Sequence, residues 1–80
     1  MTIRFDPYAN AAYISIGPPP ETGESTGQVF GVCDPRGLGE IILDFDAEGH
    51  LIGVEVLGAG ELLRSSALAE AELLGPPEPA

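Results

Sequence analysis

The chain has 80 residues, 44% of them hydrophobic, and it contains 13 acidic residues against three Arg and no Lys. This length allows one small domain with a single core, which must be aliphatic because there is no Trp and there are only three Phe and two Tyr. The formal net charge of -10 argues against nucleic acids and anionic membranes as partners, since Lys and Arg drive both kinds of binding; it suits a basic protein partner or solubility alone.

Cysteine usage and hydropathy bear on the cellular compartment. The single cysteine, Cys33, cannot form an intramolecular disulfide. The sequence shows no apolar leader at Met1 and no apolar run long enough to span a bilayer, so we expect a cytoplasmic protein. Because Cys33 ends the apolar run 29–33, the sequence also predicts a buried, unreactive thiol.

Alternating apolar and polar residues predict two strands at the start of the chain. In segment 2–6, Ile3 and Phe5 share one face. Residues 6–10 form a turn because proline lacks an amide donor and restricts the residue before it. Segment 11–16 then alternates again and predicts the second strand.

The next segment, residues 17–27, contains three consecutive prolines followed by polar residues. Such a composition is typical of an extended connection without strand pairing, and binding of this loop to an aromatic groove is the less favoured alternative. Segment 28–34 predicts a third strand, which Pro35 ends.

Residues 40–57 predict the hairpin around which the fold is organised. Two apolar runs flank the tetrapeptide 46–49, in which Asp starts the loop and Gly closes it. A four-residue loop places Asp44 and Glu55 on one face and gathers the aliphatic residues on the other. The pairs in this register are Phe45–His50, Leu43–Ile52 and Ile41–Val54. The aliphatic face then consists of Ile41, Leu43, Phe45, Ile52, Val54 and Val56.

The remaining segment, residues 61–74, has helical composition and spacing, and Ser65-Ser66 is expected to split it into a short and a longer piece. We therefore predict a single α+β domain over residues 1–74. Its sheet is a small antiparallel β-meander of about five strands, and its C-terminal helix packs on one face. The Pro-rich segment 75–80 is predicted to be a disordered tail.

The hairpin also comes close to the spacing of a calcium loop of the EF-hand type, with acids at the first, third and fifth positions, Gly at the sixth and Glu at the twelfth. The candidate metal ligands are Asp44, Asp46, Glu48 and Glu55. Strand-forming residues flank this loop where an EF-hand has helices, and Ile52 at the ninth position offers no side-chain oxygen. A solvated acidic face is therefore the favoured interpretation, and calcium or small-molecule binding is the alternative.

The sequence gives little evidence of a catalytic site. Cys33 and His50 are the only thiol and imidazole, and nothing in the pattern places them together. Asp44 and Glu55 are expected to approach one another, but diagonal acids on an exposed sheet face are ordinary. The sequence therefore favours a non-enzymatic protein and predicts no cofactor.

Several segments together resemble the small bacterial family called domain of unknown function 2283, whose members read like YDPEADALYI followed by LDYDEDGRLVGIEIL. Asn10 replaces an acid that is usual there. The resemblance implies a small β-meander with a C-terminal helix, no established activity and, in some members, pairing with a small toxin-like neighbour. The segments that carry it are Phe5-Asp6-Pro7, Ala9–Ile14, Ile42–Asp46 with Gly49, and Leu51–Leu57.

The functional prediction is an interaction module. We expect it to form a homo-oligomer through an uncovered edge or face of its sheet, because a chain this small has little room for a pocket. Its charge further predicts a basic protein partner, in the manner of an antitoxin.

Overall fold

The computed structural model describes residues 1–75, which form a six-stranded sheet and two short helices. The strands are β1 (Thr2–Asp6), β2 (Ala11–Ser15), β3 (Gly27–Cys33), β4 (Glu40–Phe45), β5 (Leu51–Leu57) and β6 (Glu72–Leu73). The helices are α1 (Ala59–Leu62) and α2 (Ser65–Glu70). No helix in this part of the chain has the length and apolarity needed to cross a membrane. Apart from Gly75, the tail predicted over residues 75–80 lies outside the described residues.

The strand order is β3-β4-β5-β2-β1-β6, and among these six described strands only the β1–β6 pair is parallel. A small α+β fold is therefore confirmed, but the prediction of a purely antiparallel meander is wrong. β2 pairs with β5 and not with β3. β5 offers β2 an aliphatic match, since Ala12 lies opposite Val56 and Ile14 opposite Val54. The long connection over residues 16–26 allows β3 to start at the far edge of the sheet.

The helices bury one face of the sheet over β1, β2 and β5. Ala12, Val56 and Ala59 are almost completely inaccessible and form the centre of this cluster. Seven partly buried side chains pack around them: Ile3, Phe5, Ile14, Val54, Leu62, Leu63 and Leu68. Apart from Phe5, the core is aliphatic, as the composition requires, and it is small.

The C-terminal helical segment is interrupted where the serine pair suggested. Leu63 and Arg64 have extended backbones, and α2 starts at Ser65 without a side-chain capping hydrogen bond. The helix also ends earlier than predicted. The Leu74 N–H donates to the carbonyl of Phe5 at 2.8 Å, because the open edge of β1 offers backbone partners that draw the following residues into β6.

The hairpin of β4 and β5 has a register two residues away from the predicted one. Leu43 lies opposite Val54, and a bulge at Ile52 lets Gly53 pair with Asp44 while Leu51 pairs with Phe45. The loop is one residue longer than expected, since the Asp46 N–H donates to the His50 carbonyl at 2.9 Å. A shift of two residues preserves the faces, so Asp44 and Glu55 share the polar face, as predicted.

Candidate functional site

The polar face carries a hydrogen-bonded network centred on Asp44. The Tyr13 hydroxyl donates to Asp44 Oδ2 at 2.8 Å, and the Gln28 amide donates to Asp44 Oδ1 at 2.7 Å. Asp44 is only 5% exposed. Both carboxylate oxygens therefore have a neutral donor, which offsets the cost of burying the group. The three side chains come from β2, β3 and β4.

Gly53 makes this network possible. It lies on β5 between Ser15 of β2 and Asp44 of β4, and the Tyr13 ring crosses above it to reach the carboxylate. A methyl group at Gly53 would collide with the hydroxyl and ring of Tyr13. A glycine inside a strand often marks such a close approach.

The surroundings of Tyr13 change its acidity. Burial raises the pKa of Tyr13 to about 12, and the hydrogen bond to Asp44 and the negative charges of Asp44 and Glu55 act in the same direction. The phenol therefore stays protonated and remains a donor to Asp44 throughout the physiological range.

A cleft of about 450 Å³ opens beside this network, between the polar face and the Pro-rich loop. Its lining residues come from β1, β2, β4, β5, the loop and the segment after β6. They are Arg4, Asp6, Ala11, Ala12, Tyr13, Ser15, Pro19, Pro20, Ser25, Asp44, Glu55 and Leu74. The loop that the sequence identified as a spacer thus forms one wall of a concave site.

The four predicted metal ligands are divided between this face and the hairpin loop. Asp44 and Glu55 line the cleft. Asp46 caps the loop instead, because its Oδ1 accepts from the Glu48 and His50 amides at 3.0 and 2.9 Å. Within residues 1–75, no group of three or more His, Cys, Asp or Glu side chains is arranged to hold a metal ion. Calcium binding by these four residues stays a prediction.

The electrostatics of Asp46 agree with its role in the turn. The hydrogen bond from the His50 amide holds the pKa of Asp46 below its usual range; partial desolvation opposes this effect, and the Glu48 amide adds to it. Gly49 has φ of 85° and donates to the Asp46 carbonyl, so it closes the loop. The interpretation of residues 46–49 as a turn that Asp46 caps and Gly49 closes is therefore confirmed.

A second surface lies on the opposite face, at the β3 end of the sheet. Val29 and Val32 of β3 align with Leu43 and Ile41 of β4, respectively, and none of the four belongs to the buried cluster under the helices. Val29 is 47% exposed and Val32 41%. We call these four residues the open apolar patch.

Two features of β3 define the edge beside this patch. The strand contains no charged residue, and a bulge opposite Ile42 interrupts its pairing, with Gly31 at φ of 84°. Cys33 is exposed, so the prediction of a buried thiol is wrong. The reason is that β3 is an edge strand, which within residues 1–75 has a neighbouring strand on one side only.

Comparison with known proteins gives one match. Residues 2–59 match the model of a family described as "Protein of unknown function (DUF2283)", which covers more than half of the chain. The chain belongs to this family. No curated protein and no solved structure matches it. The DUF2283 region contains β1 to β5, and α2 and β6 lie beyond it.

Within the DUF2283 region, the sequence reasoning found Asp44 and Glu55 but missed Tyr13, Ser15 and Gln28 as members of one site. These residues meet because β3 pairs with β4, as a meander would have it, and because β2 pairs with β5, which the predicted meander does not include. One available signal was Gly53, since a glycine between strand-forming residues predicts close approach of another group.

Proposed function

We propose that this DUF2283 protein is a non-enzymatic interaction module that self-associates through the open apolar patch. The observation that carries the proposal is a sheet face that the helices cover at one end and leave exposed at the other. Four aliphatic side chains lie there on adjacent strands, and no charged side chain is among them. Val29 and Val32 are exposed, and Ile41 and Leu43 are partly buried. Exposed apolar surface of this kind is typical of protein interfaces.

A second copy of the chain is the occupant that the charge distribution favours. The net charge of -10 makes close approach of two copies unfavourable wherever their carboxylates meet. The uncharged β3 strand and the patch beside it avoid such contacts. A twofold interface needs only one self-complementary patch, and aliphatic residues satisfy that requirement by packing face to face.

The bulge in β3 favours packing of faces over extension of the sheet. Bulges interrupt the regular row of amide and carbonyl groups on an edge strand and thereby disfavour strand addition. Gly31, at the bulge, donates its amide to the Glu40 side chain at 2.9 Å, which occupies one backbone donor. The side chains of Val29 and Val32 remain available on the face.

Sedimentation equilibrium over a range of protein concentrations tests this proposal. We expect the apparent mass to rise above 8.3 kDa with concentration. The association should strengthen with added salt, which screens the repulsion between two acidic chains. A mass of one chain at every concentration and salt level would reject the proposal.

Two lysine substitutions locate the interface. Val32→Lys places a charge in the patch and should weaken association at least about tenfold, since burying an unpaired charge is costly. Tyr8→Lys is the matched control, because Tyr8 is 65% exposed and lies in the turn between β1 and β2. Both variants change the net charge equally. If Val32→Lys and Tyr8→Lys weaken self-association equally, the interface lies elsewhere.

A basic protein partner is the second candidate function, and the net charge of -10 is the observation that favours it. Such a complex should weaken as salt is added, which is the opposite of the response expected for self-association. Co-expression with the product of the adjoining reading frame, followed by purification at low and high salt, tests this candidate. Failure to co-purify at low salt would count against it.

A further inference from the structure

Strand β3 is attached to the sheet by hydrogen bonds more than by buried side chains. Six of its seven residues are exposed, and only Gly27 is partly buried. Each of the strands β2 and β5 has two buried residues. The pairing of β3 with β4 is also interrupted by the bulge between Val29 and Val32. Because burial of apolar surface is the main source of stability, the attachment of β3 is weak compared with that of β2 and β5.

Two carboxylates of β4 hold β3 through hydrogen bonds to a charged acceptor, which are stronger than those between neutral groups. The side-chain amide of Gln28 donates to Asp44 Oδ1 at 2.7 Å. At the bulge, the backbone amide of Gly31 donates to Glu40 Oε2 at 2.9 Å. The Tyr13 hydroxyl fixes Asp44 from the other side. We call the chain of Tyr13, Asp44 and Gln28 the clamp, because it joins the edge strand to β2 across β4 and β5.

The connections at the two ends of β3 allow this strand to leave its place. Two strands separate β2 from β3, so the connection over residues 16–26 has to cross about 15 Å at the usual strand spacing. A segment of this length extends to about 36 Å, which is more than twice that gap. After β3, the guanidinium of Arg36 in loop 34–39 donates to the Glu61 carbonyl of α1 at 2.9 Å. β3 can therefore separate from β4 while this loop keeps its place against α1.

We propose that β3 is a detachable edge strand, which leaves β4 while the rest of the sheet stays folded. Release breaks the two side-chain contacts and takes Val29 and Val32 away from β4, so the open apolar patch no longer exists. The consequence for assembly rests on the proposed function: only the attached state self-associates, and association in return holds β3 on β4. The clamp on the polar face thereby favours assembly through the opposite face.

Amide hydrogen exchange of the native chain tests the release of β3 without any dependence on self-association. In dilute solution we expect the β3 amides that pair with β4 to exchange at least about tenfold faster than the paired amides of β2 and β5. Low concentrations of urea should leave the β3 rate unchanged, because local release exposes little new surface. Equal protection of the three strands, or an equal response of all three to urea, would overturn the proposal.

Two methionine substitutions test the clamp. Gln28→Met keeps the length of the side chain and removes the donor to Asp44, so the β3 amides should exchange at least about tenfold faster than in the wild type. Thr22→Met is the matched control, because Thr22 is exposed in the connection before β3. The paired amides of β5 should keep their exchange rate in both variants. Equal acceleration of β3 by the two substitutions, or equal acceleration of β3 and β5 by Gln28→Met, would overturn the role of the clamp.

Hydrogen exchange at rising protein concentration tests the link between β3 and assembly. If only the attached state self-associates, the β3 amides should exchange about fivefold more slowly at about ten times the dissociation constant of the dimer. The Leu74 amide, which donates to Phe5 at the other edge of the sheet, is the control and should keep its rate. Dimers in sedimentation without slower β3 exchange would overturn the link and leave the proposed function intact. A chain that stays monomeric would reject the proposed function and the link together, whereas the measurement in dilute solution still decides whether β3 detaches.

Discussion

The two ends of one sheet face have the same kind of side chains and different surroundings. Over β1, β2 and β5, the helices cover aliphatic residues such as Val56, which is 3% exposed. Over β3 and β4, Val29 and Val32 continue the same aliphatic face but remain 47% and 41% exposed. The difference shows that the short helices cover only part of one continuous aliphatic face, and the exposed remainder is the surface that we propose for self-association.

Replacing a glycine by alanine should lower the free energy of unfolding much more at the helix-covered end of the sheet face than at the β3 end, and this is the largest difference that we expect between the two ends. A methyl group on Gly39 would collide with the Leu57 carbonyl and approach Leu62 Cδ1 to 2.8 Å, whereas one on Gly27 would only touch Phe45 Cβ at 3.9 Å. We expect Gly39→Ala to lower the free energy of unfolding by about 3 kcal/mol. Gly27→Ala should change it by less than about 1 kcal/mol. Urea denaturation at low protein concentration measures both, and equal losses would refute the contrast.

Valine truncation tests the same contrast with one residue type. Val56→Ala removes buried methyl groups and should cost about 2.5 kcal/mol, from the lost transfer energy and the cavity left behind. Val29→Ala should cost less than about 0.5 kcal/mol when the chain is dilute. The cost of Val29→Ala should rise with protein concentration, because the patch is buried only on association. Thermal unfolding at two concentrations supplies this measurement. A concentration-independent cost above about 2 kcal/mol would mean that the patch is part of the core.

At high pH, ionisation of Tyr13 on the polar face should lower the stability of the fold. Its pKa of about 12 in the folded chain lies above the unfolded value of about 10, so the stabilisation is complete below pH 10 and is lost as the pH rises to 12. At neutral pH, Tyr13→Phe should lower the free energy of unfolding by about 1.5 kcal/mol, because Asp44 loses a buried donor. The difference in the free energy of unfolding between the wild type and Tyr13→Phe should decrease between pH 10 and pH 12. If this difference stays constant across that range, the phenol proton of Tyr13 does not contribute to the stability of the fold.

The elements of this fold and the pairing of three consecutive strand pairs could be predicted from the sequence, but the β2–β5 and β1–β6 pairings could not. Alternating side chains predict β1 and β2 almost to the residue, and the Asp46 and Gly49 pair predicts the hairpin loop. The order of the strands depends on contacts between distant segments, so the β2–β5 pairing left no local sign. The bulge at Ile52 changed the hairpin register and brought Leu51 opposite Phe45, while Asp44 and Glu55 stayed on one face.

The candidate site was predictable only in part for the same reason. Asp44 and Glu55 follow from the alternation of one hairpin, whereas Tyr13 and Ser15 join them across a strand pair that the sequence did not predict. β6 was missed because a two-residue strand takes its conformation from the open edge of β1 and not from its own residues. The open apolar patch depends on where the short helices end, which composition does not determine.

The distance between two Cys33 side chains tests the open apolar patch most directly. Cys33 is the only cysteine, is exposed and lies opposite Glu40, on the face away from the patch, so a nitroxide label there leaves the patch free. Association through the patch predicts a single distance shorter than 34 Å, the largest extent of one chain. Association through β6, at the other edge of the sheet, would separate the labels by about 50 Å, given a strand spacing of about 4.8 Å. That longer distance, or no dipolar coupling at high concentration, would contradict the proposed interface.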